Sequence, residues 1–177
     1  RLVAIGGVSG TGKSTLARQL APHLGAAPGA VILRSDVVRK RLFGVAAEER
    51  LPPEAYGKDT SRRVYDTLMR RAGTLVRAGH AAIVDAVFLD PDERADVERV
   101  AAEAGVRFQA LWLTAPEDVL VRRVAARRGD ASDATVDVLR QQLAADPGRL
   151  TWPALDVSGP PQEVAAQARR LLGSDRP

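Results

Sequence analysis

The chain has 177 residues, 45% hydrophobic and 27% charged, long enough for one sizeable core and short for two, so a single domain over residues 1–177 is expected. It contains no cysteine, which excludes disulfide scaffolding, thiol catalysis and cysteine-based zinc sites, and no apolar run nears the roughly 20 residues of a membrane span, so a cytoplasmic setting is expected. A net charge of +4, lysine only at Lys13, Lys40 and Lys58, and few aromatic residues argue against general nucleic-acid binding, which needs basic surface and stacking platforms.

Apolar runs alternate with helical segments throughout, the pattern of a parallel sheet covered by helices on both faces. The first strand, Leu2–Gly6, begins directly after Arg1, and the only methionine is Met69, which points to a segment excised from a longer chain. A helix is expected over Ser14–Leu24, a turn over Gly25–Gly29, a second strand at Ala30–Arg34 and a short helix at Asp36–Phe43. After an irregular stretch, Val64, Leu68, Leu75 and Val76 mark a long helix over Glu54–Ala78, closed by Gly79. A third strand, Ala81–Asp85, precedes Asp90-Pro91, a capping acid and a proline that start a helix running to Ala104. A fourth strand at Val106–Thr114 leads to a helix over Pro116–Arg128. Then come a polar stretch and a helix over Thr135–Ala145, with Ser132 or Asp133 as its candidate cap. Asp146-Pro147-Gly148 breaks that helix, and a fifth strand at Leu155–Ser158 and a last helix at Glu163–Leu172 end the pattern.

Gly7-Val8-Ser9-Gly10-Thr11-Gly12-Lys13-Ser14 fits G-x-x-x-x-G-K-[ST] and lies between a strand and a helix, the context a phosphate-binding loop requires. Gly7, Gly10 and Gly12 let the backbone curl so that N–H groups, including those of Ser9 and Thr11, point at phosphate oxygens beside a helix N-terminus. Lys13 is expected to reach the outer phosphates of ATP, Ser14 to hold Mg²⁺ that bridges phosphate oxygens, and Thr15 to assist. A guanine-specifying N-K-x-D motif and an L-S-G-G-Q motif are both missing, and there is no room for the helical lid domain of a motor ATPase. A compact ATP-dependent kinase acting on a small hydroxylated acceptor remains.

Asp36 and Arg39, in Ser35-Asp36-Val37-Val38-Arg39-Lys40, follow the carboxyl end of the second strand, where open α/β sheets bind ligands. Asp36 is a candidate base for the acceptor hydroxyl and Arg39 a candidate grip on an anionic group; the bland reading is a helix cap and a solvated arginine. Asp85 ends an apolar strand, so it either addresses hydrated magnesium, lines the acceptor pocket or forms a turn. Arg123 and Arg127, four apart on one helix face, suit a lid closing over the transferred phosphoryl group, with the lid spanning about residues 122–146. Arg127 is the preferred catalytic phosphate contact and Arg123 a candidate for phosphate or adenine, while the bland reading is a basic helix end. Ser158-Gly159-Pro160 is a candidate loop over the adenine. Trp152 either packs over the nucleotide or anchors its loop, and Tyr56, Tyr65, Arg62, Arg63, His23 and His80 are read as packing or surface residues.

With these motifs, G-G-x-S-G-T-G-K-S-T at Gly6–Thr15, Ser35–Lys40, the strand ending at Asp85, and R-x-x-x-R followed by G-D-A-S-D-A, the chain resembles the bacterial AAA-type P-loop kinases. These are related to zeta-toxin, gluconate-kinase and polynucleotide-kinase domains. The resemblance implies a three-layer αβα P-loop NTPase fold with a five-stranded parallel sheet of nucleoside-monophosphate-kinase type. It also implies a covalently linked amino-terminal domain similar to an aminoglycoside phosphotransferase. Asp36 and Arg39 match the D-x-x-R acceptor motif of polynucleotide 5′-kinases, so a 5′-hydroxyl polynucleotide kinase is the enzymatic rival. An ATP-binding regulatory module is the rival of another class.

Overall fold

A computed structural model of the chain describes residues 1–126 and 131–173. Its five strands are β1 (Leu2–Gly6), β2 (Val31–Arg34), β3 (Ala82–Asp85), β4 (Phe108–Thr114) and β5 (Ala154–Asp156), in sheet order β2-β3-β1-β4-β5. Every pairing is parallel, so all five carboxyl ends emerge at one edge of the sheet. Between them lie α1 (Lys13–Leu20), α2 (Ser35–Leu42), α3 (Lys58–Arg77), α4 (Pro91–Glu103), α5 (Glu117–Ala125), α6 (Val136–Ala144) and α7 (Pro161–Leu172).

The sheet is covered on both faces because alternate residues of each strand point to opposite sides. Leu2, Ala4, Val84 and Trp112 pack against Val64, Leu68 and Ala72 of α3 and Val97 of α4. Val3, Ile5, Ile83 and Leu111 pack against Leu16 and Leu20 of α1 and Val164 and Ala168 of α7. Complete burial of a side chain such as Leu2, Ile5 or Leu111 contributes roughly 1.5–3 kcal/mol, and this two-sided demand is why β1 is buried at every position. A smaller cluster of Leu120, Val124 and Leu139 joins α5 to α6.

The expected boundaries shift where a local bond or a proline decides. The helix expected to reach Leu24 stops at Leu20, and Pro22, which cannot donate a helical hydrogen bond, passes the chain into a 3₁₀ turn at Ala21–His23. The segment Glu54–Ala78 divides into a 3₁₀ turn at Pro53–Tyr56 and α3, with the extended Gly57 between them. β4 starts at Phe108, because the Gly105 and Val106 amides bond back to Ala102 and Ala101 and close α4 instead. The fifth strand is Ala154–Asp156, and the Asp156 carboxylate accepts from the Ser158 amide at 2.7 Å as the chain turns away. Asp90 caps α4 as expected, accepting from the Asp92 amide at 2.9 Å. Neither Ser132 nor Asp133 caps α6; Thr135 does, accepting from the Val138 amide.

Candidate active site

The glycine-rich loop leaves β1 beneath β4 and α5, and that proximity dictates its composition. Gly7 has φ +133°, and a Cβ there would lie 2.6 Å from the Leu113 carbonyl; Gly10 has φ +87° and its Cβ would lie 2.9 Å from the Leu120 carbonyl. The Gly7 amide bonds the Val87 carbonyl at 3.1 Å, and the buried Thr11 hydroxyl bonds the Val8 carbonyl at 2.8 Å, which braces the curl. Gly12 begins α1 in the left-handed region, and no side chain caps the helix, so its first-turn N–H groups and positive dipole end are disposed toward an anion. Lys13 Nζ lies over the same loop, donating to the Gly7 and Val8 carbonyls at 2.8 and 3.1 Å. The Ser9 amide donates to Gln142 Oε1 of α6 at 2.8 Å, a contact between residues 133 positions apart that has no local sequence signal.

A cavity of about 580 Å³ opens at the carboxyl edge of the sheet and is lined by the loop residues Ser9, Gly10, Gly12, Lys13, Ser14 and Thr15. Asp36, Arg39, Asp85 and Arg123 line it too. Asp85, 4% exposed, stands in register with Ile5 of β1 and Arg34 of β2, which carries its carboxylate to the loop. Ser14 Oγ donates to Asp85 Oδ2 at 2.5 Å, and Arg34 Nε lies 3.4 Å from the same oxygen. A hydroxyl and a carboxylate side by side are hard oxygen donors that suit Mg²⁺. Among the described residues no group of three or more histidine or acidic side chains is gathered for a metal.

Asp36 occupies the first turn of α2 on the wall of this cavity. Arg39, one turn on, is buried, and its donors serve the protein: Nη1 to the Ala55 carbonyl at 2.7 Å and Nη2 to Ser61 Oγ at 3.3 Å. Its guanidinium lies 4.8 Å from the Tyr56 ring centroid, and burial lowers its pKa against the opposing pull of Tyr56 and Asp36. Arg39, a candidate grip on an anionic group with a solvated arginine as the bland alternative, is a buried brace between α2 and the 3₁₀ turn, and it also lines the cavity.

Two more cavity residues escape a reading by motif. Tyr65 of α3 accepts from the Phe88 amide at 3.0 Å, which steadies Phe88 at φ +57°, an uncommon conformation for a bulky residue. Its hydroxyl also interacts with Glu93 of α4, whose carboxyl is pushed up to about 7, chiefly by burial, with Asp90 adding repulsion. Tyr56 and Tyr65 thus line the cavity, although packing alone was expected of them. Tyr65 shares a face of α3 with Leu68 and Met69, three and four residues on, which is indistinguishable from ordinary core periodicity, and Tyr56 lies in the 3₁₀ turn before that helix.

Lys40, 1% exposed, pairs with Asp133 Oδ2 at 2.7 Å and also donates to the Glu49 carbonyl. Asp133 further accepts from the Leu51 amide at 2.9 Å and from the Tyr56 hydroxyl at 2.5 Å. Burial pushes the Asp133 carboxyl up, but the bonds from Lys40, Tyr56 and Leu51 outweigh it and hold it below the usual carboxylate range. This knot ties α2, the segment 49–56 and the approach to α6 around one carboxylate.

Arg123 donates to the Val157 carbonyl at 2.8 Å and lies between the large cavity and a smaller one of about 200 Å³ that Thr11, Thr15, Gly159 and Val164 help to line. Arg122 points elsewhere, paired with Asp118 at 2.8 Å. Arg127 lies outside the described residues, as do Arg128, Gly129 and Asp130. Trp152 is an anchor: it is buried, donates to Glu98 Oε1 at 2.8 Å and stacks edge-on with Phe88, with ring centroids 5.1 Å apart. Arg62, Arg63, His23 and His80 are exposed and outside the cavity.

A family model described as an AAA domain matches residues 2–146. An uncharacterized protein of Mycobacterium tuberculosis is 35% identical over 178 residues, which cover 98% of this chain and 35% of that protein. The chain thus spans about a third of the length of the first curated relatives it matches. An adenylyl-sulfate kinase of Myxococcus xanthus is 36% identical over 121 residues, covering 66% of this chain and 59% of the kinase. Among solved structures, a sugar kinase from a Janibacter species aligns with TM-score 0.67 at 23% identity, covering 97% of this chain and 94% of that one. The APS kinase of Mycobacterium tuberculosis, solved with AMPPNP and APS, aligns with TM-score 0.66 at 22% identity, covering 97% and 96%. These likenesses establish a shared fold.

Proposed function

The chain belongs to the AAA-domain family of P-loop proteins, and from that premise we propose that it is an ATP- and magnesium-dependent phosphotransferase acting on a hydroxyl of a small acceptor. The observation that carries this reading is the convergence on one cavity of the loop Lys13, the Ser14–Asp85 contact at 2.5 Å and the Asp36 carboxylate of α2. A nucleotide-binding module would need the first two; the carboxylate facing them supplies the acceptor side of a transfer.

In this reading the loop amides and the α1 N-terminus hold the polyphosphate, and Lys13 exchanges its two carbonyl partners for the outer phosphates. Ser14 and Asp85 would hold magnesium, which neutralises phosphate charge. Asp36 takes the proton of the acceptor hydroxyl as that oxygen bonds to the γ-phosphorus and the bond to the β–γ bridging oxygen breaks, yielding ADP and the phosphorylated acceptor. Arg123, anchored on Val157, suits the nucleotide end, with Gly159 beside the smaller cavity as the adenine rim. Arg127 is assigned to the transferred phosphoryl group from its spacing to Arg123. Asp36 and Asp90 outnumber Arg39 on the acceptor side, and Arg39 is braced internally, which favours an uncharged or cationic hydroxylated acceptor over a polynucleotide end.

The deciding experiment follows label from γ-³²P-ATP into pooled sugars, aminoglycosides, nucleosides and 5′-hydroxyl oligonucleotides. Transfer should require Mg²⁺, vanish in Lys13→Ala and fall by at least about 100-fold in Asp36→Asn. An Asp36→Asn enzyme working at the parent rate overturns the base assignment, and transfer to oligonucleotides alone overturns the small acceptor.

A further inference from the structure

β2 is an edge strand, and α1, α2 and α3 leave a groove of about 210 Å³ around it. Its lining holds four arginines, Arg18, Arg34, Arg41 and Arg71, and no carboxylate. Arg34 is engaged with Asp85. The guanidinium groups of Arg18, Arg41 and Arg71 have no hydrogen-bond or ion-pair partner among the described residues, although each comes from a different helix. Some exposed arginines elsewhere are paired locally, as Arg99 with Asp96 and Glu103 and Arg122 with Asp118, whereas the three in the groove share one lining that has no carboxylate to pair with. Converging like charges repel, and a bound anion removes that repulsion.

We propose that this edge groove is a second anion site, adjoining the glycine-rich loop at Ser14, that takes a phosphate group. Arginine forks match the tetrahedral oxyanion with paired charge-assisted bonds, and three helices supply them from different directions. The volume lies below the roughly 300–1,000 Å³ of sites for drug-sized ligands, so the occupant is a small phosphorylated species or inorganic phosphate itself. α2 divides the two sites: Asp36 and Arg39 line the large cavity, whereas Val37, Val38 and Arg41 line the groove. The cavities meet at Ser14 and Arg18, which line both, so an anion in the groove lies next to the proposed metal position. The proposal does not require phosphoryl transfer to occur.

The test first saturates the loop with AMPPNP and Mg²⁺, then titrates inorganic phosphate against chloride at constant ionic strength while the melting temperature is read. The parent should show a saturable rise. Arg41→Gln and Arg71→Gln should each raise the half-saturating concentration by roughly tenfold, and the double variant should show no saturable rise. The exposed Arg169→Gln on α7 serves as the control and should behave as the parent. The unliganded melting temperature of each single variant reports folding, and Arg41, exposed at the end of α2, provides a variant with little packing to lose. Absence of a saturable rise in the parent, or a parent-like rise in the double variant, overturns the site. A short oligodeoxynucleotide that acts at roughly tenfold lower phosphate concentration than inorganic phosphate overturns the small-anion assignment in favour of a nucleic-acid strand.

Discussion

Glu93 shows how a single side chain can matter without belonging to any motif. Its carboxyl is raised from an ordinary value of 4.5 to about 7, mainly because burial beside Tyr65 disfavours the charge. Below about pH 4.5 the folded and unfolded chains both hold this proton; between there and about 7 only the folded chain does, so stability falls as the pH rises. The full loss, reached above pH 7, is on the order of 3 kcal/mol. Glu93→Gln should therefore melt higher than the parent at pH 8 and match it near pH 4.5, and melting curves across that range check the difference. A constant offset at all pH values would mean that the change acts through packing. Its place at a strand end makes Asp85 a site candidate but leaves magnesium, acceptor pocket and turn as alternatives; the fold adds that its carboxylate accepts from Ser14 Oγ at 2.5 Å. Arg39 was legible as a residue near the acceptor but not as a brace, since its partners Ala55 and Ser61 come from a turn whose path the sequence left irregular.

Among the elements, the α2–Asp133 knot joins α2, which lines the large cavity, to the segment 49–56. Lys40 is 1% exposed, so removing its counter-charge leaves a buried ammonium with the Glu49 carbonyl as its remaining partner. Asp133→Ala should destabilise by about 3–5 kcal/mol, read from urea unfolding, and Asp133→Asn by less because it keeps an acceptor for Leu51 and Tyr56. An effect of Asp133→Ala below about 1 kcal/mol would place the carboxylate among weak surface pairs. Helix identity was readable throughout: Asp90-Pro91 starts α4, and Gly79 and Gly105 stand just beyond the ends of α3 and α4. Helix length was less so. Pro22 and Gly57 interrupt patterns whose apolar periodicity continues across them, because periodicity records which face is buried and not whether each amide has a partner.

For the whole molecule, the parallel order β2-β3-β1-β4-β5 places the loop after β1 beside the ends of β3 and β4, with β2 and α2 across from it. A nucleotide bound at this edge touches several elements at once and should stabilise all of them together. With Mg·ATP at about 100 times its dissociation constant the gain is about 2.7 kcal/mol, a rise of roughly 5–10 °C in melting temperature for a chain of this size. Lys13→Ala should abolish most of the rise while leaving the unliganded melting temperature within a few degrees of the parent. A parent-like rise in that variant would remove Lys13 from the phosphate site. The αβα class, the order in which the strands appear and the phosphate loop can be read without the fold, because they rest on short-range patterns: alternation, glycine conformation, and a lysine and serine at set offsets. That Gln142 meets Ser9, that Asp133 pairs with Lys40, that Glu93 and Tyr65 share the cavity with Asp36, and that four arginines line one edge groove emerges only in the folded chain. Each of these joins residues far apart in the chain, whose meeting is set by how the helices cross the sheet and not by anything their neighbours in sequence specify.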